Sequence, residues 1–143
     1  MSIQPNQLLD LASRLMDVPS ESERQEVDLR CSTSRAYYAA LHAADDSLPP
    51  DLALTLSERR GKSSHQAVID KVTIWSKGCR AGRTEAIFIA RNLARLRDYR
   101  KKADYGTDRN FSFEEALSAL KLARETVARA TRAVEQSTAQ IPA

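Results

Sequence analysis

Apolar side chains recur every three to four residues along nearly the whole chain, and the helix breakers fall between these stretches. A period near 3.6 suits one face of a helix, and a half-buried strand would need a period of two. Leu8, Leu11, Ala12 and Leu15 form a first amphipathic helix, closed by Pro19. Ser20 and Glu23 stand at capping-box spacing and open a second, long helix. It runs to about Leu48, where Pro49 and Pro50 forbid continuation. Its inward stripe reads Val27, Arg30, Ser34, Tyr37, Leu41, Ala44 and Leu48, widened by Cys31, Tyr38 and Ala39. The alternating Leu52, Leu54 and Leu56 mimic a strand, but the chain offers no second strand to pair with it. Residues 51–62 are therefore expected to form a short helix or an irregular link.

A second capping box, Ser63 to Gln66, opens a helix with Val68, Val72 and Trp75 on one side. Gly78 and Gly82 bracket a basic loop, and Thr84 is the expected cap of the fourth long helix. That helix carries Ile89, Leu93, Leu96, Arg100 and Ala103 and stops at Gly106. A third box, Ser112 to Glu115, opens the last helix, with Phe113, Leu117, Leu120, Ala123, Val127, Ala130 and Val134. The expected fold is all-α, an up-and-down bundle of four to five main helices in one domain over residues 1–136. Residues 137–143 are expected to form a loose tail.

The 143 residues suffice for one buried core. No run of eighteen apolar residues is present, so no membrane span is expected. The first residues lack a basic segment followed by an apolar one, so no secretory signal is expected and the reading is cytoplasmic. In that compartment Cys31 and Cys79 read as unrelated free thiols, Cys31 packed inside, in preference to a disulfide. Neither thiol sits in a paired motif, and no metal-ligand spacing or phosphate-binding glycine loop occurs, so no metal or cofactor is expected.

Charge is more telling in its distribution than in its net value of +3. Between Lys77 and Lys102 stand Arg80, Arg83, Arg91, Arg95, Arg97, Arg100 and Lys101 against Glu85 and Asp98. Such a patch can neutralise phosphates, or it can be a solvated helix face. Two polar intrusions break the apolar stripes. Arg30 and Ser34 fall on the inward side of the second helix, and Arg100 on that of the fourth. A buried guanidinium without a partner costs several kcal/mol, so each arginine must find a partner or an opening. Asp104, one turn after Arg100, can supply that partner. Arg97, Arg100, Asp104 and Tyr105 thus gather at a helix end, either as a clamp between the second and fourth helices or as a working site.

Two segments carry a family resemblance. Arg30-Cys-Ser-Thr-Ser34-Arg35-Ala-Tyr37-Tyr38-Ala-Ala-Leu-His42-Ala-Ala and Leu96-Arg97-x-x-Arg100-x-x-Ala-Asp104-Tyr105, in this order, resemble the motif helices of small stand-alone HEPN proteins. Ser64-His65 before Val68-Ile69 resembles the family's link into its third long helix. The resemblance covers about residues 22–135 and implies a bundle that commonly dimerises, with motif helices lining a cleft. Catalytic members are metal-independent endoribonucleases, and many are toxins beside a nucleotidyltransferase antitoxin that modifies a tyrosine near the motif. The resemblance assigns the family's arginine to Arg100 and the site or modified tyrosine to Tyr105. The family's histidine, four to six residues after that arginine, has no counterpart, and Asp104-Tyr105 stand in its place. An ordinary aspartate is ionised at neutral pH and repels phosphate.

The residues then sort as follows. Arg100, Asp104, Tyr105 and His42 are the catalytic candidates, since His42 lies seven residues beyond Arg35 on one face of the second helix. Arg95, Arg97, Lys101 and Lys102 are candidates for RNA phosphate. Arg30, Ser34, Arg35 and Tyr38 form a structural polar cluster. His65 follows Arg60 at nearly the motif spacing but spans a loop and a helix start, and is read as coincidence. Two functions are expected: an RNA-directed HEPN-type protein whose cleavage is weak or partner-dependent, or a non-catalytic dimeric module that docks a nucleotidyltransferase or another protein.

Overall fold

A computed structural model describes residues 3–17 and 22–139, with no side-chain description for 22–24 and 139. Every regular element among these residues is helical: α1 (Pro5–Met16), α2 (Ser22–Ser47), α3 (Leu56–Arg60), α4 (Ser64–Lys77), α5 (Arg83–Tyr105) and α6 (Phe113–Ala139). A single 3-10 turn, Pro50–Leu52, precedes α3. Pro19 and the capping box at Ser20 and Glu23 lie outside the described residues, as do residues 140–143. None of the described helices is long and apolar enough to cross a membrane.

α2 is the central element and packs against α1, α5 and α6. Its sequence suits this position. Ala36, Ala39, Ala40, Ala43 and Ala44 are all buried, so neighbouring backbones approach from more than one side. The buried Ser32 hydroxyl donates to the Ala12 carbonyl of α1 at 2.7 Å, and Thr33 donates within α2 to Leu29 at 3.0 Å. α6 answers with its own small buried residues, Ala116, Ala119, Ala123, Ala130 and Ala133. Close packing of this kind loses contacts steeply when a methylene is added or removed.

The single inward stripe read for α2 is therefore too narrow at the N-terminal half. Val27 is exposed, and so is Cys31, which the sequence placed inside; both thiols are free. The buried positions there are Leu29, Ser32, Thr33 and Ala36, because α1 and α6 cover a face rotated from the one containing Val27.

Helix entries differ in detail. At Ser112 the capping box forms, with the Glu115 amide donating to the Ser112 hydroxyl at 3.1 Å and Ser112 N–H donating back to the Glu115 carboxylate at 3.4 Å. The box at Ser63 does not form, because the Gln66 amide turns outward to Asp70 and Arg97. Thr84 is not a cap either. The cap lies two residues earlier, at Gly82, whose φ of 77° is left-handed. A Cβ there would also lie 2.8 Å from the Trp75 ring, so both backbone and packing require glycine. An unforeseen capping box at Thr55 and Glu58 opens α3, in the segment read as a short helix or link.

Candidate functional site

The end of α5 leaves carbonyls without intrahelical partners. Arg30 of α2 meets them. Its guanidinium donates to the carbonyls of Lys102 and Ala103, both at 3.0 Å, to Gly106 at 3.2 Å, and to Arg109. Glu26, one turn earlier, pairs with it at 3.1 Å, and its carboxylate also accepts from the Phe111 N–H at 2.8 Å. That backbone bond, with help from Arg30, holds the Glu26 carboxyl below its ordinary value. A cation at the negative end of a helix also opposes the helix dipole favourably. Arg30 is thus the clamp between α2 and α5, and its partners are mostly backbone.

Arg100 is placed differently. Its side chain is 18% exposed and points among aromatic rings. The guanidinium carbon lies 5.5 Å from the Tyr37 ring centre, 5.9 Å from Tyr38 and 5.5 Å from Tyr105. One amino group donates to the Tyr38 hydroxyl at a long 3.4 Å. Asp104 Oδ2 stands 3.1 Å from Nε. That contact is off the N–H direction, and the buried Nε–H has no hydrogen bond. The pair is therefore an ion pair with poor geometry. Tyr105 itself is 70% exposed, so its phenol is open to solvent. Tyr37 is buried, and that burial pushes its phenol above the ordinary value.

Tyr38 connects Arg100 to a cavity of about 200 Å³. Leu41, Leu54 and Val68 supply apolar walls, and Tyr38, His42, His65 and Ser64 supply polar ones. Asp45 and Arg59 close one side through a forked pair at 2.7 and 3.3 Å. His65 packs edge-on against Tyr38 at 5.3 Å and Tyr37 at 6.1 Å between ring centres. Burial, the charge of Arg100 and that of His42 all hold the His65 imidazole below its ordinary value. Its position in the first turn of α4, at the positive end of the helix dipole, acts in the same direction.

The sequence candidates thus separate. Arg100, Asp104, Tyr105 and Tyr38 converge, and Tyr38 and His42 share the cavity wall. Arg97 donates to Gln66 Oε1 of α4 at 2.8 Å, and Lys102 pairs with Glu115 of α6 at 2.6 Å, so both are occupied. Arg95 and Lys101 are exposed on α5 and form no ion pair among the described residues. Arg35 is exposed on α2, and Ser34 is half-buried. Arg60 is exposed at the end of α3 and is not among the residues around the cavity. His65, read as coincidental to the motif because it falls at a loop and helix start, does lie in the first turn of α4. Its ring neighbours are Tyr37 and Tyr38 of α2, a relation that spacing along one helix does not reveal. No three His, Cys, Asp or Glu side chains cluster to hold a metal among the described residues. Compared with protein-family models, curated proteins and solved structures, the chain finds no match.

Proposed function

We propose that this chain is an RNA-directed protein of the HEPN type, in a toxin–antitoxin or defence setting, with Arg100 as its phosphate-binding residue. One observation carries the reading: Arg100 is half-enclosed by three tyrosines yet incompletely partnered, with an unused Nε–H and a weakly held amino group. A cation in this state gains from an entering phosphate oxygen, and aromatic walls suit unstacked bases of a single strand. Arg95 and Lys101 on the same helix add positive charge for the flanking backbone. The setting would bring a cytoplasmic homodimer and a nucleotidyltransferase antitoxin, with the open Tyr105 phenol as the group it modifies. The test compares RNA binding and cleavage by the purified protein and Arg100→Ala. The variant is expected to lose about tenfold or more in affinity. Equal behaviour of the two proteins removes Arg100 from the mechanism.

A second reading has its own support, since Asp104 already sits against Arg100. In it the chain is a non-catalytic dimeric module that docks a nucleotidyltransferase or another protein, and the pair is structural. Its mark is an Asp104→Asn protein that melts lower and binds RNA no better.

A further inference from the structure

Tyr38 belongs to two neighbourhoods at once. Its hydroxyl accepts from Arg100 at 3.4 Å, and the guanidinium carbon stands 5.9 Å from its ring centre. His65, which shares the cavity wall with Tyr38, stands 5.3 Å from the same ring centre, with the two ring planes at 71°. One aromatic ring therefore joins a loosely partnered cation to a cavity, a separation that a single nucleotide can span.

The size and lining of the cavity narrow its occupant. It holds about 200 Å³. An apolar cavity of about 150 Å³ takes a benzene ring. There is room here for one six-membered ring with its exocyclic groups, and none for two fused rings. Leu54 and Val68, which wall the cavity, are buried and belong to the core, so they do not yield to a larger guest. The charged groups of the wall, Asp45 and Arg59, satisfy each other through their forked pair, so an anionic guest finds no free guanidinium inside. The side chains of His42, Ser64 and His65 make no hydrogen bond among the described residues, and each can donate and accept. An apolar slot with a few unengaged polar groups suits a neutral, planar, polar-edged guest.

We propose that this cavity is a base pocket: it takes one unstacked pyrimidine of an RNA whose phosphate lies on Arg100, and it makes the protein selective for uridine or cytidine at that position. The inference rests on the RNA-directed reading above and adds to it the class of base that is read. Single strands are read by stacking their splayed bases on aromatic side chains and by hydrogen bonds to the base edges. Tyr38 and His65 meet as a corner, so a base lying on one ring meets the edge of the other. The pyrimidine edge carries its ring nitrogen and two exocyclic groups side by side, which groups able both to donate and to accept can match in uracil and in cytosine alike. A purine brings a second ring against Leu54 and Val68.

The experiment measures, by fluorescence anisotropy, the affinity of the purified protein for four labelled single-stranded RNAs. One is an all-adenosine decamer, and in the others one central adenosine is replaced by uridine, by cytidine or by an abasic residue. The wild-type protein is expected to bind the uridine and cytidine RNAs about five- to thirtyfold more tightly than the all-adenosine and abasic ones, as one further stacked base provides. Ser64→Phe fills the cavity from the first turn of α4, and His65→Ala removes one ring of the corner. Each, once circular dichroism shows it folded, is expected to bring the pyrimidine-to-adenosine ratio to within about twofold of one. A wild-type protein that binds all four RNAs alike, with Arg100→Ala weakened for each, overturns the pocket and leaves the RNA reading standing. So does a preference for adenosine over both pyrimidines, or a pyrimidine preference that survives in folded Ser64→Phe and His65→Ala. A wild-type protein that binds none of the RNAs overturns the RNA reading and this proposal together.

Discussion

Replacing Asp104 with asparagine separates a phosphate site from a clamp. The carboxylate lies 3.1 Å from Arg100 Nε, in the last turn of α5. An ion pair at this helical spacing contributes about 0.3–0.5 kcal/mol, and the order cation first, anion second is the weaker one. A negative charge at a helix C-terminus costs about 0.3–1 kcal/mol through the dipole. The two effects nearly cancel, so Asp104→Asn should shift stability by about 0.5 kcal/mol or less and Tm by about 1–2 °C. Arg100 keeps its tyrosines and the Tyr38 hydroxyl. Ligand binding responds differently. A phosphate on the guanidinium would stand within about 4 Å of the carboxylate, where two like charges repel by about 4 kcal/mol at an effective dielectric of 20. Solvent and salt reduce this to about 1–2 kcal/mol. Asp104→Asn should therefore bind single-stranded RNA about five- to thirtyfold more tightly at low ionic strength. Fluorescence anisotropy on a labelled RNA and a thermal melt read both quantities. A variant that melts normally and binds no better refutes the reasoning. A Tm lowered by about 6 °C or more with affinity unchanged supports the structural reading instead.

Arg30→Met keeps the packing over Phe111 but strands the carbonyls at the end of α5, and should lower stability by about 2–4 kcal/mol, or about 10 °C in a thermal melt. Gly82→Ala must adopt a left-handed φ against the Trp75 ring and should cost about 1–3 kcal/mol in denaturant unfolding. Acid titration of Tm should show two declines. His65 has a lowered value in the folded state, so the unfolded chain binds its proton first and stability falls as pH drops below 6.5. Glu26 is likewise lowered, so the stability it adds is present above 4.5 and is lost as pH falls through its folded value; Glu26→Gln should make that second decline shallower, with the likewise lowered Glu58 and Glu115 carrying the remainder.

The helices were legible because burial imposes a period and the chain keeps it: Ile89, Leu93 and Leu96 are fully buried as their spacing requires. The polar intrusions were legible for the complementary reason, since a guanidinium in an apolar stripe must be satisfied. What satisfies it was only partly visible. Asp104 could be named as the partner of Arg100 because the two share one helix. The carbonyls that Arg30 binds could not, because backbone acceptors leave no mark on residue type and lie more than seventy positions away. The failed box at Ser63 has a similar cause, as Gln66 gains more from Arg97 of another helix than from its own first turn. The tyrosine rings around His65 could not be foreseen either, since they depend on how α4 leans against α2, and no local pattern encodes that.

Of the four arginines of the resembling segments, Arg35 is exposed on α2 and the other three have different fates, and the difference says where an anion can enter. Arg30 is committed: several carbonyls depend on it, and withdrawing it would leave α5 uncapped. Arg97 is committed to an amide oxygen that ties α5 to α4. Arg100 alone holds partners that it can give up cheaply, namely a phenol at hydrogen-bond limit and a carboxylate off axis. A binding residue must exchange what it has for what arrives, so exchangeability marks a site better than charge does. The same logic applies to the tyrosines. Tyr37 is locked in the core, whereas Tyr38 and Tyr105 touch the guanidinium from accessible positions and can turn their faces to a base. An anion entering at Arg100 would displace Asp104 toward solvent, loosen the Tyr38 hydroxyl, and by that route reach the wall that His65 shares.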